Sequence, residues 1–287
     1  MEKLKLFFTG FILSFFVCYA NAYDLEKDGI YYNANSSSGY SLTVTYRSTE
    51  YKSYSGDIII PDTVLVGRKK YVVTAIGQDA FKNCPFLTSV KMPSSITTIG
   101  RYAFSSCSSL EQISIPSSVT TIGAYAFDYC RNLHTIRFED GTSTLKLGDN
   151  TKSWTIGSHN ETKGLFSTCP VDSVYLGRNI SKEYNYGFSY APFNGWDIYV
   201  EVGEKVTSMI SYLFSGSPQS IKMLGKNPPK ANENTFRYNE STTLYVPFSA
   251  LETYKNTSIW CNFKNIVPVY NDYVASFVID DFVDARD

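Results

Sequence analysis

Three phenylalanines, Phe81, Phe104 and Phe127, stand 23 residues apart, and so do Cys84, Cys107 and Cys130. Ile76, Ile99 and Ile122 keep the same interval, each followed by a glycine at 77, 100 or 123. This period constrains the chain more than its composition does. One short unit cannot bury its own apolar side, whereas stacked neighbours form a continuous core. A full unit runs Leu87-x-x-Val90-x-Met92-Pro93-x-x-Ile96-x-x-Ile99-Gly100-x-x-Ala103-Phe104-x-x-Cys107. The next, from Leu110, repeats it through Ile113, Ile115, Pro116, Val119, Ile122, Gly123, Ala126, Phe127 and Cys130.

The physical content of the unit follows from its residue types. Apolar residues two apart, such as Val90 and Met92, point to one face of a short strand. Proline ends that strand because it has no amide for a ladder. The glycine is expected to hold a turn closed to residues with a Cβ. Ala-Phe-x-x-Cys then supplies a compact apolar patch on a turn or short helical segment. Such units predict an α/β solenoid whose short strands form one curved sheet.

Beyond Leu133 the pattern decays but can be followed. A segment from 139 to 164 interrupts it, with Thr144-Leu145-Lys146-Leu147-Gly148 predicting an extra strand or hairpin inside. Phe166 and Cys169 restore the Phe-x-x-Cys element, followed by Val171-x-x-Val174-x-Leu176. Further strand cores are expected at Ile198/Val200, Ile221/Met223 and Leu244/Val246, with Phe193, Phe214 and Phe236 at the repeat phenylalanine position. Both ends are atypical, as the ends of a repeat stack should be. An N-terminal β cap with a first repeat strand is expected over 23–75, and the repeats over 76–270, closed by a C-terminal cap at 248–263. An acidic tail, 271–287, follows.

The first residues indicate the compartment. Lys3 and Lys5 precede an apolar run from Leu6 to Val17 that ends in Ala20-Asn21-Ala22, the order of a secretory signal peptide cleaved after Ala22. Acylation of Cys18 is the weaker reading, since bulky Phe16 and Val17 stand where small residues are usual. No later stretch approaches the ~20 apolar residues of a membrane-spanning helix. A secreted or cell-surface protein is therefore expected, with no insertion of the mature chain into a membrane. With 26 basic and 27 acidic residues the chain lacks the basic footprint that nucleic acid requires.

Chemistry-bearing motifs are few. The Cys84, Cys107 and Cys130 column reads as buried thiols behaving as small hydrophobes, with Cys169 continuing it. No His or acidic cluster completes a metal set around them, so no metal and no cofactor is expected. Only two histidines exist, His134 and His159, and neither lies in a nucleophile motif. Glu139-Asp140-Gly141 reads as a turn more readily than as a calcium site. An enzyme is not expected.

The quoted residues resemble the BspA-like branch of the leucine-rich-repeat proteins, recognised by Ile-Gly-x-x-Ala-Phe-x-x-Cys-x-x-Leu-x-x-Ile-x-Ile-Pro-x-x-Val. The likeness extends to Asp28-Gly29-Ile30-Tyr31-Tyr32, Ile60-Pro61, and Leu244-Tyr245-Val246-Pro247 with Tyr254 and Trp260; 179–220 departs most. The resemblance implies a curved leucine-rich-repeat stack at the surface of a host-associated microbe. It also implies adhesion to host proteins or other cells, and no pattern position is catalytic. The fold alone does not fix a ligand.

A candidate surface follows from the strand placement. Residues between and before the core positions face outward as Ser89/Lys91, Gln112/Ser114, Thr135/Arg137, Ser173/Tyr175, Asp197/Tyr199, Ser220/Lys222 and Thr243/Tyr245. From these, Lys91, Arg137, Tyr175, Tyr199, Lys222 and Tyr245 are the candidate ligand-binding residues. Tyr and Arg are enriched at binding hot spots, although exposed sheet faces favour Tyr, Lys and Thr for strand propensity alone. The expected partner is an extracellular protein or a glycan. The alternatives are a structural spacer that self-associates and a non-catalytic carbohydrate-binding protein.

Overall fold

In the computed structural model, residues 22–35, 39–48, 51–148, 165–182, 191–193, 197–236 and 241–270 are described. Most of the expected signal segment, its apolar run included, lies outside them, as do residues 149–164 of the interrupting segment and the acidic tail. The chain opens with β1 (Leu25–Lys27), β2 (Ile30–Ala34) and β3 (Ser41–Thr45). Next come β4 (Gly56–Ile59) and the antiparallel hairpin of β5 (Thr63–Val66) and β6 (Lys69–Ile76).

From there two kinds of strand alternate. One series comprises β7 (Leu87–Lys91), β9 (Gln112–Ile115), β11 (Thr135–Phe138) and β13 (Ser173–Leu176). Between its members lie the shorter strands β8 (Thr98–Ile99), β10 (Thr121–Ile122), β12 (Leu145–Leu147) and β14 (Ile180–Lys182). The chain ends in β15 (Tyr199–Val202), β16 (Ser220–Met223), β17 (Thr243–Pro247), helix α1 (Leu251–Lys255) and β18 (Asn265–Val269). Short 3-10 turns at Phe248–Ala250 and Trp260–Asn262 flank the helix.

These strands make two large sheets, not the single sheet expected. A seven-stranded sheet, all parallel, runs β9-β11-β13-β15-β16-β17-β18. A nine-stranded sheet runs β1-β2-β3-β6-β8-β10-β12-β14, with β5 on β6. β4 and β7 pair with each other, and β7 lies beside β9. The second sheet arises because Ile99 and Ile122 not only bury their side chains but pair, Ile122 opposite Ile99 and Thr121 opposite Thr98. Leu145–Leu147 continues this sheet between β10 and β14, so the expected extra strand is a rung of the stack.

The core lies between the sheets. Ile113, Ile136, Val174, Val200, Ile221 and Leu244 align through the parallel ladders, and all are buried. Ile76, Ile99, Ile122 and Leu147 face them from the other sheet. A column of buried rings closes the third side: Phe81, Phe104, Phe127, Phe166, Phe193 and Phe214, with successive centroids 4.9, 5.2, 5.1, 5.1 and 5.7 Å apart. The cysteines run beside it. The Cys107, Cys130 and Cys169 thiols donate to the carbonyls of Phe81, Phe104 and Phe127 at 3.0, 3.0 and 3.1 Å.

The repeat glycines do a different job from the one expected. Gly77, Gly100 and Gly123 do not adopt positive φ; the left-handed positions belong to Asp79, Tyr102 and Tyr125 in the turns that follow. A Cβ on Gly100 would stand 2.6 Å from the Gln78 nitrogen, inside van der Waals contact. Glycine is thus required by the close approach of one turn to the next, with Gly100 donating to the Ile76 carbonyl at 2.8 Å.

Candidate functional site

The outward row of the seven-stranded sheet is fixed by its register. Ser114 lies opposite Arg137, Arg137 opposite Tyr175, Tyr175 opposite Glu201, Glu201 opposite Lys222 and Lys222 opposite Tyr245. Four candidate residues, Arg137, Tyr175, Lys222 and Tyr245, therefore share one row. Lys91 holds the equivalent repeat position on β7, exposed and in the separate pair with β4.

Tyr199 does not belong to this row. It pairs with Ser173, in the neighbouring row of Gln112, Thr135, Ser220 and Thr243, and Glu201 takes the place expected for it. Ile198-x-Val200-x-Val202 accommodates two placements two residues apart, because either apolar pair fills the core. The ladder to β13 selects Val200 and Val202.

The side chains of the row are engaged with one another. The Arg137 guanidinium carbon lies 3.9 Å from the centre of the Tyr175 ring. Tyr175 is only 4% exposed, and its hydroxyl donates to Asp140 at 2.8 Å to Oδ1 and 3.0 Å to Oδ2. Burial, and after it the Asp140 carboxylate, raises the Tyr175 phenol pKa, so the proton stays in place to make this bond. Lys222 Nζ pairs with Glu201 Oε2 at 3.1 Å, with both side chains largely buried. Glu139 accepts from the Ser114 hydroxyl and from the Ser117 amide, each at 3.3 Å.

Arg178 is tied to the turn that follows β9. It is buried, and its guanidinium donates to the carbonyls of Pro116, Ser117 and Val119 at 2.8, 2.7 and 2.6 Å. Burial lowers its pKa and Glu139 partly offsets this. No repeat position marks Arg178 or Asp140, so periodicity does not reveal them. Their signal is an arginine after Gly177 and an aspartate after a strand, both common in unremarkable turns.

The other chemical candidates resolve simply. Glu139 and Asp140 spend their carboxylates on Ser114, Ser117 and Tyr175, and among the described residues no group of three His, Cys, Asp or Glu side chains is placed to hold a metal. His134 Nδ1 lies 2.9 Å from Asp172 Oδ2 at the rim of the sheet, with both side chains about half exposed; His159 is outside the described residues. Cys84, Cys107, Cys130 and Cys169 are buried and Cys261 is exposed. Among the described residues no helix is long and apolar enough to cross a membrane.

Comparison with known proteins bears on the repeats and the fold. The BspA type leucine rich repeat region matches in six copies over residues 74–194. No curated protein matches the chain. A crystal structure of a leucine-rich repeat protein from Bacteroides ovatus is similar with a TM-score of 0.50 and 23% identity. The likeness covers 80% of this chain and 56% of that one, so the chain spans little more than half that protein's length. A leucine rich repeat protein of T. pallidum aligns with a TM-score of 0.46 and 18% identity, over 76% of this chain and 84% of that one. One from Bacteroides capillosus aligns with a TM-score of 0.40 and 23% identity, over 55% and 97%. At 23% identity the likeness to the Bacteroides ovatus protein speaks to the fold alone.

Proposed function

With residues 74–194 a BspA-type leucine-rich-repeat region, we propose that the chain is an exported binding or adhesion protein that engages an extracellular protein or glycan through the outward face of its seven-stranded sheet. Leucine-rich-repeat proteins of this kind generally act in protein interaction at cell surfaces and are generally not enzymes. In this reading residues 1–22 are a signal peptide. Residues 23–75 cap one end of a solenoid of about 23-residue units, 248–263 cap the other, and 271–287 are a tail beyond it.

The observation that carries the proposal is the ordered row of Arg137, Tyr175, Glu201, Lys222 and Tyr245. A sheet face with no role needs only strand-forming side chains that water can solvate. Here an arginine is stacked on a buried tyrosine whose hydroxyl is held by a carboxylate, next to a largely buried ion pair. Side chains already ordered lose less entropy when a partner arrives. Seven strands at about 4.8 Å spacing present a face roughly 30 Å long, enough for a folded protein or an oligosaccharide.

A second reading, a spacer or assembly component that self-associates, draws on the far end of the molecule. There β18 ends the seven-stranded sheet, and Phe248 and Tyr270 stack at 4.5 Å while remaining 54% and 72% exposed. Against it stands Pro268 within β18, since a proline in an edge strand discourages pairing with another chain.

The test is a screen of residues 23–287 against arrayed extracellular-matrix proteins and glycans, beside a variant with Arg137, Tyr199 and Tyr245 all changed to Ala. A saturable signal lost in the variant supports the sheet face. Equal binding by the folded variant rules that face out, and silence on both arrays transfers weight to the spacer reading.

A further inference from the structure

Away from the candidate row, the β5–β6 hairpin holds the only three consecutive basic residues of the chain, Arg68, Lys69 and Lys70. No carboxylate accompanies them over 63–76, although the whole chain carries a net charge of -1. Gly67 and Arg68 make the two-residue turn between the paired Val66 and Lys69, with Gly67 in the left-handed region. Along β6 the ladder to β3 begins at Val72, opposite Ser41. Among the described residues 69–71 therefore have β5 as their one strand neighbour, and the tip reaches about 10 Å past that ladder.

Antiparallel partners share a face of the hairpin. Val64 with Tyr71 and Val66 with Lys69 lie on the inner face, where Val64 is buried and Val66 and Tyr71 pack against the core. Thr63 with Val72 and Leu65 with Lys70 lie on the outer face, where Leu65 is 62% exposed, Val72 39%, and Lys70 is exposed beside them. Lys69 Nζ sits over the Tyr40 ring at 5.1 Å, whereas among the described residues no carboxylate pairs with Arg68 or Lys70. Protection of an open strand asks only for charge. It does not call for aliphatic side chains left in water beside that charge.

This combination selects the partner. A sulfated polysaccharide would neutralise the cations and leave Leu65 and Val72 in water. A folded protein would need a matching surface of about 800 Å², more than a projecting tip of a few residue pairs offers. A lipid layer has no fixed shape to match; it takes cations at its phosphates and aliphatic side chains among its headgroups. We propose that the outer face of this hairpin is a peripheral contact for an anionic lipid surface. Arg68 and Lys70 meet the phosphates, and Leu65 and Val72 lie among the headgroups without crossing the layer. The hairpin belongs to the nine-stranded sheet, so this contact is independent of the sheet-face reading.

The experiment is cosedimentation of residues 23–287 with vesicles of equal parts phosphatidylglycerol and phosphatidylcholine, beside vesicles of phosphatidylcholine alone. One variant removes charge, Arg68→Gln with Lys70→Gln. Another removes the apolar contact, Leu65→Thr with Val72→Thr, and keeps every charge. Lys226→Ala, at an exposed position elsewhere, is the control, and each variant is checked for an unchanged thermal midpoint. The parent protein should sediment with the anionic vesicles only, and less as salt is raised. Binding should fall about 25-fold in the charge variant, at about fivefold per cation near an anionic surface. It should fall about fivefold or more in the Leu65 and Val72 variant and stay unchanged in Lys226→Ala.

Equal sedimentation with both kinds of vesicle, sedimentation with neither, or full binding by either hairpin variant would each overturn the proposal. Retention on immobilised dextran sulfate or poly-L-glutamate without vesicle binding would overturn it too, and would assign the cations to a polysaccharide or to an acidic protein. The sheet-face reading is judged separately, since the variant at Arg137, Tyr199 and Tyr245 should bind anionic vesicles as the parent does. If that variant loses the vesicles while the hairpin variants keep them, the sheet face is the lipid contact and the hairpin is not.

Discussion

Between residues 76 and 133 successive turns of the chain are near copies, whereas the described turns between 139 and 223 depart from the repeat; one column of phenylalanine rings runs through both. In the regular part the rings of Phe81, Phe104 and Phe127 are nearly parallel, at 4° and 6°. In the irregular part the angles are 28°, 2° and 31°, and Phe138 packs edge-on against Phe166 and Phe193. The core column therefore tolerates rotation of its members, and what it holds constant is the spacing of the layers. Freed from strict repetition, the second part carries Arg178, Asp140 and Tyr175, on whose ring Arg137 sits. Regularity supplies the scaffold, and departure from it supplies distinctive chemistry.

The sharpest way to break this comparison is to remove one ring from each part. Phe104→Ala should cost about 3–5 kcal/mol, because the ring is fully buried between two parallel neighbours. Phe214→Ala should cost less, about 3 kcal/mol, at the low end of the same range, since among the described residues its ring stacks on Phe193 alone and at a tilt. Chemical denaturation of both variants gives the order, and a larger loss for Phe214 would reverse the account.

Arg178 comes next. The Arg178 stem runs beside Gly141 to reach the carbonyls of the earlier turn. Arg178→Ala should cost about 3 kcal/mol by removing three charge-assisted hydrogen bonds and leaving the buried Val119 carbonyl without its donor. The Pro116 and Ser117 carbonyls keep the Val119 amide and the Ser143 hydroxyl. A loss under about 1 kcal/mol would mean that water replaces it without difficulty.

Glycines sharpen the contrast at lower energy. Gly100→Ala should cost about 1–3 kcal/mol, because its Cβ would meet the backbone of the previous turn at 2.6 Å. At Gly225 the nearest atom would be 3.5 Å away, so Gly225→Ala should change stability by only about 0.5 kcal/mol in either direction. Equal losses at the two positions, measured by thermal unfolding, would remove close packing of turns as the reason for the repeat glycine.

The smallest effect is chemical. Burial raises the pKa of the Cys84, Cys107 and Cys130 thiols, and buried Cys169 continues their column. A maleimide should therefore label only Cys261 rapidly in native residues 23–287, and label the others upon unfolding. Rapid native labelling of any column cysteine would show that the layers open.

The repeat made much of this legible. Phenylalanine, cysteine and isoleucine columns, and strands ending at Pro93 and Pro116, follow from residues that recur at a fixed interval. The second sheet was hidden because two-residue strands such as Thr98–Ile99 are too short for any alternation to register. Glycine was read for its dihedral freedom when its missing side chain mattered. The row of the candidate site was legible at Arg137, Tyr175, Lys222 and Tyr245 and misplaced at Tyr199, where the apolar alternation permitted both registers. That an outward tyrosine would be buried under an arginine was not legible, since Asp140 lies outside the repeat pattern.

The most direct test of the sheet face is hydroxyl-radical labelling of residues 23–287, free and bound to a ligand found on the arrays. Tyr199 and Tyr245 should lose reactivity in the complex, while Tyr40 and Tyr129, which are exposed away from the row, should keep it. Protection of Tyr129 with Tyr199 and Tyr245 unchanged would place the ligand on the turns and contradict the account.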